Sequence, residues 1–198
     1  MQESYAFCAL LARMKYITRW GLMRASRPES LSEHTAETAI LAHILALVAR
    51  DVLGQTAVRP ETVAVAALYH DASEILTGDM PTPVKYKNEA LKTAYKSLEY
   101  ESAASLASLA PDVLAPTLRP LLTGEALTDE EQTLLKAADR LSALVKCLEE
   151  ERSGNTEFKS AKAQQLERLS AMHCPAADYF MRHFLPCYEK TLDELTGG

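Results

Sequence analysis

Between Leu31 and Leu53 the apolar residues fall around most of a helix's circumference rather than along one stripe. A helix of that kind is stable only when other elements wrap it, so it predicts a central, buried helix. The rest of the chain supplies the wrapping. Its apolar residues recur at helical spacing nearly throughout, and strand-like alternation between Gly-rich turns is absent. With 198 residues, 47% of them hydrophobic, the chain can bury one sizeable core. These features predict a single all-α domain over residues 1–198.

Local signals set the expected boundaries. A first helix is expected over Glu3 to Ile17, followed by Arg19-Trp20-Gly21 and a polar loop through Pro28. Ser30 with Glu33 three residues later fits a capping box, and Gly54 is a natural stop after about Leu53. Pro60 opens the next helix, which carries Val63 to Leu76 and ends at Thr77-Gly78. Asp79 to Pro83 reads as a stiff loop, because proline lacks an amide and crowds the preceding turn. A long helix is expected over Asn88 to Leu109, and a short one at most between Pro111 and Pro120. A second capping box, Thr128 to Glu131, starts a helix to about Arg152, stopped at Gly154-Asn155. Two further helices are expected near Glu157 to Met172 and Ala176 to Leu195.

Composition excludes several function classes. A net charge of −6 argues against a general nucleic-acid binder, which needs a basic surface to meet phosphates. It leaves room for a small phosphorylated ligand in a local positive pocket. Cys8, Cys147, Cys174 and Cys187 form no C-x-x-C pair, so zinc-ribbon and thioredoxin-like readings fail. Reduced thiols in a cytoplasmic protein are the simplest account. Met1 to Lys15 lacks the apolar stretch of a signal peptide, and the run Ala36 to Ala49 is too short to cross a bilayer. No membrane role is expected.

Four residues carry the chemistry: His34, the adjacent pair His70-Asp71, and Asp139. His34 shares a helix face with Thr38, Leu41 and Leu45, so it should be buried, while His43 points about half a turn away. A lone histidine on such a face is more often a hydrogen-bonded core residue. Asp139 lies beside an apolar stripe with Leu135 four before it, where a carboxylate is costly unless paired or metal-bound. Its ordinary alternative is an ion pair with Lys136 or Arg140. One divalent metal accounts for all four residues at once. Mixed nitrogen and oxygen ligands suit Mn, Co, Fe or Zn better than Ca, and on a six-coordinate ion they leave room for water and a phosphate oxygen. Metal-assisted hydrolysis is the expectation.

The pattern H…HD…D at His34, His70-Asp71 and Asp139 resembles that of the HD-domain phosphohydrolases. More specific strings are Arg19-Trp20, Ser32-Glu33-His34, Tyr69 to Glu74, Thr77 to Tyr86, and Lys146 to Glu150. They are similar to the bacterial HD-type 5'-deoxynucleotidases along nearly the whole chain. The resemblance implies a helical HD-domain fold, a homodimer, and hydrolysis of 2'-deoxyribonucleoside 5'-monophosphates to deoxynucleoside and phosphate. It also implies a divalent metal, Co²⁺ or Mn²⁺ first, with Cu²⁺ or Zn²⁺ as further candidates. Arg19, Trp20, His34, Asp71, Asp79, Met80, Pro81, Thr82 and Asp139 are then the substrate-contacting candidates.

Individual roles follow from side-chain chemistry. Glu74, four residues after His70 and three after Asp71, can orient the attacking water or shuttle a proton if the helix continues through it. Its ordinary alternative is a solvated helix-end glutamate. Arg19 offers a planar fork for phosphate oxygens. Trp20 can pack on the sugar or base, although a core role fits it equally well. Asp79 can accept a hydrogen bond from the sugar or assist the leaving oxygen; turn chemistry is its alternative. Lys85 is a weaker phosphate candidate. Rival readings are an HD phosphohydrolase for nucleoside triphosphates, guanosine polyphosphates or cyclic dinucleotides, a metal- or nucleotide-binding module without turnover, and a purely structural helical protein. No basic cluster near the motif favours the more highly charged substrates.

Overall fold

The computed structural model describes residues 4–85 and 87–197, with the side chain of Thr82 also outside the described set. Glu3, the expected start of the first helix, and Tyr86 lie outside it. The fold is all-α. Its helices are α1 (Phe7–Leu11), α2 (Leu31–Leu47), α3 (Pro60–Ala67), α4 (Glu74–Thr77), α5 (Thr82–Lys85), α6 (Glu89–Ala107), α7 (Ala115–Thr123), α8 (Asp129–Arg152), α9 (Lys159–Ala171), α10 (Pro175–His183) and α11 (Leu192–Thr196). An isolated antiparallel bridge joins Thr18 to Ser30. No helix among the described residues is long and apolar enough to cross a membrane.

Internal contacts gather into two compact units. The first comprises Met1–Ala36 and Val65–Thr128. Its core is Phe7, Ala72, Ala103, Leu106, Ala107, Ala110 and Leu122, with Tyr69 and Ile75 packed against it. The second comprises Glu37–Ala64 and Asp129–Gly198. Its core is built on α8, whose residues Leu141 to Leu148 are all buried, with Phe158, Leu169 and Phe180.

The expected starts and stops of α2 hold. The Ser30 amide donates to Glu33 Oε2 at 2.8 Å, and the Glu33 amide donates back to Ser30 Oγ at 3.2 Å, closing the capping box. After Leu47 the helix widens into a π-turn over Val48–Val52, where the Leu53 amide reaches the Val48 carbonyl, and Gly54 turns left-handed at φ +76°. Asn88 caps α6 through the Leu91 amide at 2.8 Å.

Other boundaries differ, each for a physical reason. The first helix is shorter than expected: α1 passes at Ala12 into a 3₁₀ turn ending at Tyr16. Thr82–Lys85 is helical although Pro83 lies within it, because a proline in the first turn gives up no helical hydrogen bond. At α8 the expected start does hold, at Asp129 directly after Thr128, and the Glu131 carboxylate also accepts from the backbone amide and the Nε of Arg59, both at 2.9 Å. The expected C-terminal helix is three pieces, α10, a 3₁₀ turn over Leu185–Glu189 and α11, because Pro186 cannot donate within a helix. A capping box of Thr191 and Glu194 restarts the chain as α11. The largest departure is inside the expected helix over Val63 to Leu76, which breaks after Ala67 and resumes at Glu74.

Candidate active site

The break between α3 and α4 builds the site. Through Leu68 to Ser73 the amides bond three residues back: Leu68 to Val65 at 3.1 Å, Tyr69 to Ala66 at 3.0 Å, Ala72 to Tyr69 at 3.0 Å and Glu74 to Asp71 at 3.0 Å. This is 3₁₀-like winding, in which side chains three apart eclipse. It sets Asp71 and Glu74, three residues apart, on one side of the turn. Ala72, between them, is fully buried in the core of the first unit and anchors the turn.

His70 Nδ1 lies 2.7 Å from the Ala67 carbonyl. A carbonyl only accepts, so Nδ1 carries the proton and donates, leaving Nε2 as the donor atom toward a metal. That Nε2 stands 3.1 Å from Asp71 Oδ2. His34, fully buried in the first turn of α2, brings its Nε2 to 3.5 Å from the same oxygen. The two imidazole rings are 5.4 Å apart, centre to centre. One ligand atom from each of His34, His70 and Asp71 lies within 4.8 Å of the others. Two imidazole nitrogens and a carboxylate oxygen, converging from separate elements in a partly buried corner, fit a divalent first-row metal or zinc.

Charge is distributed unevenly over this corner. Burial by itself raises the pKa of Asp71, but the adjoining imidazoles, His70 first and then His34, outweigh it and hold the carboxyl well below its usual range. Glu74 goes the other way. Burial first, then the negative charges of Asp71 and Asp79, push its pKa up to about 9, against a weaker downward pull from Arg19 and Lys85. Glu74 is only 6% exposed, and its Oε2 is a buried atom with no hydrogen-bond partner. A protonatable oxygen left unsatisfied beside a metal-type donor set is suited to water or substrate.

The loop from Ile17 to Ser30 brings two more predicted residues. Its ends are tied by the Arg19 amide on the Glu29 carbonyl at 2.9 Å and the Leu31 amide on the Ile17 carbonyl at 2.8 Å. Arg19 Nη1 lies 3.5 Å from Asp71 Oδ2. Arg19 Nε and Trp20 Nε1 both donate to Glu29 Oε2, at 3.2 and 2.9 Å. Trp20 takes φ +60°, a left-handed backbone uncommon for a bulky residue. Gly78, at φ +74°, redirects the chain after α4, and Asp79, Met80 and Pro81 follow it half-buried. Lys85 donates to Glu99 at 2.6 Å and lies 4.8 Å from the Tyr95 ring centre. The first unit therefore holds His34, His70, Asp71, Glu74, Arg19, Trp20 and Asp79. Asp139 sits half-buried on α8, in the second unit. Glu29 was not among the residues expected from spacing.

Comparisons with known proteins agree with this chemistry. A model of the family described as 5'-deoxynucleotidase YfbR-like matches residues 6–188. The chain is similar to the 5'-deoxynucleotidase of Cronobacter sakazakii, 43% identical over 196 residues, covering 99% of this chain and 98% of the relative. It is equally similar to the 5'-deoxynucleotidase YfbR of Escherichia coli K12, 43% identical with the same coverage. Among solved structures it resembles an HD-domain phosphohydrolase from Listeria innocua, with a TM-score of 0.78 at 24% identity, covering 92% of this chain and 87% of that one. It also resembles the cyanophage S-2L HD phosphohydrolase DatZ bound to dA and one catalytic Zn²⁺ ion, with a TM-score of 0.66 at 22% identity, covering 96% and 99%. These two likenesses establish the HD-domain fold.

Proposed function

The chain belongs to the YfbR-like 5'-deoxynucleotidase family, and on that premise we propose that it hydrolyses 2'-deoxyribonucleoside 5'-monophosphates to deoxynucleoside and phosphate. The observation that carries the reading is the gathering of His34, His70 and Asp71 ligand atoms beside the buried, unpartnered Glu74 oxygen. We assign the metal to His34, His70, Asp71 and Asp139, with Co²⁺ or Mn²⁺ preferred and Cu²⁺ or Zn²⁺ as further candidates. When bound, such an ion lowers the pKa of its water and offsets phosphate charge.

The chain's own residues do the rest. The Ala67 carbonyl fixes the His70 tautomer. Glu74 orients the attacking water and handles its proton at Oε2. Arg19 presents its guanidinium to the phosphoryl oxygens, where charge builds as the bond from phosphorus to the 5'-oxygen breaks. Trp20 packs on the sugar or base. Asp79 accepts from the sugar or assists the departing 5'-oxygen, which leaves with a proton. Met80, Pro81 and Thr82 form a wall close to the sugar, and a lack of space there disfavours a 2'-hydroxyl, since an apolar pocket alone discriminates poorly against an added hydroxyl. We further propose a homodimer acting in the cytoplasm, with no nucleic-acid or membrane partner.

Phosphate release tests the reading. Purified protein with each of the four metals is offered dAMP, dGMP, dTMP, AMP and the matching triphosphates, with and without chelator. Release from the deoxynucleoside monophosphates, little from AMP, and none with chelator is expected. Equal rates on AMP and dAMP remove the selectivity. No release from any deoxynucleoside monophosphate overturns the function. Asp139→Ala should lose metal and activity together; full metal stoichiometry in that variant removes Asp139 from the ligand set.

A further inference from the structure

We propose that Glu29 is a positioning residue that couples phosphate recognition to base or sugar recognition, by holding Arg19 and Trp20 on a single carboxylate oxygen. The proposal rests on the deoxynucleotidase reading above. Arg19 and Trp20 are sequence neighbours, and neighbouring side chains in a loop ordinarily diverge. Here Arg19 Nε and Trp20 Nε1 converge on Glu29 Oε2, at 3.2 and 2.9 Å.

The backbone is bent to allow it. Trp20 stands at φ +60°, and such a conformation persists in a bulky residue only where its surroundings over-determine it. They do: the Met23 amide donates to the Trp20 carbonyl at 2.7 Å, the Arg19 amide to the Glu29 carbonyl at 2.9 Å, and Thr18 bridges Ser30.

The consequence for Arg19 is geometric and electrostatic. Its Nε edge is held by Glu29, while Nη1 lies 3.5 Å from Asp71 Oδ2. Both Arg19 and Glu29 side chains are 12% exposed. A planar fork held at its rear edge has little rotamer freedom left to lose when phosphate arrives. Without the Glu29 charge, Asp71 is the carboxylate at hand, and a full ion pair there draws the guanidinium away from phosphate and onto a metal ligand. For Trp20, the indole has one N–H, and fixing it sets the plane of the ring. One carboxylate oxygen thus sets the orientation of both groups.

Glu29→Gln and Glu29→Ala separate the two effects. Glutamine keeps an acceptor for the indole but removes the charge that holds Arg19; alanine removes both. Trp20 is the only tryptophan in the chain, so intrinsic fluorescence reports on it alone. The KM for dAMP should rise roughly tenfold or more in both variants, with a smaller change in kcat, because a misplaced binding group costs one to two orders of magnitude. Tryptophan emission should shift to the red in Glu29→Ala and stay near wild type in Glu29→Gln. Metal content should stay at the wild-type level in both. An unchanged KM with unchanged emission in both variants overturns the proposal. If the wild type hydrolyses no deoxynucleotide, the functional reading fails, and the emission of the two variants still decides whether Glu29 positions Trp20. Should Glu29→Ala not fold, the isosteric glutamine decides: a wild-type KM there overturns the proposal, and a raised KM with metal retained supports it.

Discussion

Glu74 in the first unit and Glu150 in the second are both buried glutamates, 6% and 1% exposed, and the fold treats them oppositely. Glu150 receives Lys146 Nζ at 2.6 Å on one oxygen and Asn155 Nδ2 at 2.8 Å on the other. Glu74 has a buried oxygen with no partner, and its nearest charged company includes two carboxylates, Asp71 and Asp79. A buried carboxyl matched at both oxygens ties α8 to the turn that follows it. A buried carboxyl left unmatched costs stability, and a chain keeps one where chemistry needs it.

The largest expected effect breaks the comparison at Glu74. Glu74→Gln keeps the side-chain shape and removes the proton-handling group. Turnover of deoxynucleotide should fall by roughly 10² to 10⁴, the usual worth of a general acid or base, with metal content retained. The same substitution should not lower the melting temperature of the metal-free protein at pH 8, because the amide is neutral as it stands, whereas Glu74 must take up a proton on folding at that pH. Unchanged kcat makes Glu74 a bystander.

Next in size is the matched pair. Lys146→Met leaves Glu150 buried with its main partner gone, which should cost about 3–5 kcal/mol in urea denaturation. Converting Glu150 to Leu in the same chain should recover most of that loss, since the penalty belongs to the orphaned charge rather than to the missing pair. A single-variant cost below about 1 kcal/mol would mean that Glu150 is less confined than its burial implies.

The sign of the pH dependence sharpens the contrast. The pKa of Glu74 is raised from 4.5 to about 9 in the metal-free fold. The folded state therefore binds a proton that the unfolded chain releases. Its contribution is fully present below pH 4.5 and is lost as pH rises toward 9. Over that window the wild type should lose stability relative to Glu74→Gln, by no more than about 1.4 kcal/mol per pH unit. Parallel stability curves for the two proteins in chelator would show that Glu74 ionises normally.

Much of this arrangement was legible in the sequence, and the exceptions have physical causes. The spacing around His34 predicted its burial, and Ser30 with Glu33 predicted the start of α2; both hold. The gathering of His34 with His70-Asp71 followed from residue chemistry. The break after Ala67 did not, because Tyr69-His70-Asp71 contains no glycine or proline to announce it. It is made by three-back amide bonds and by the His70 ring on the Ala67 carbonyl, interactions that periodicity does not register. At the C-terminus apolar spacing continues across Ala176 to Leu195, and Pro186 breaks the helix that this spacing predicts. Glu29 left no signal, since its partners lie nine and ten residues away and meet it only because the loop closes.

A third glutamate tests whether burial or pairing sets these magnitudes. Glu33 is paired with Arg27 at 2.6 Å, as closely as Glu150 is with Lys146, yet the two side chains are 70% and 49% exposed. The Glu33 pKa is lowered first by the Ser30 backbone amide and its hydroxyl, with Arg27 a lesser cause. Its contribution is therefore present above pH 4.5 and lost as pH falls below that, the reverse of Glu74. Most of it belongs to the cap. Water screens the exposed pair and solvates whichever partner is left alone, so Arg27→Ala should change stability by less than about 0.5 kcal/mol. Glu33→Ala, which opens the capping box, should cost about 1 kcal/mol. If thermal melts give Arg27→Ala a loss approaching that of Lys146→Met, then pairing distance governs these carboxylates and burial does not, and the contrast between Glu74 and Glu150 needs another cause.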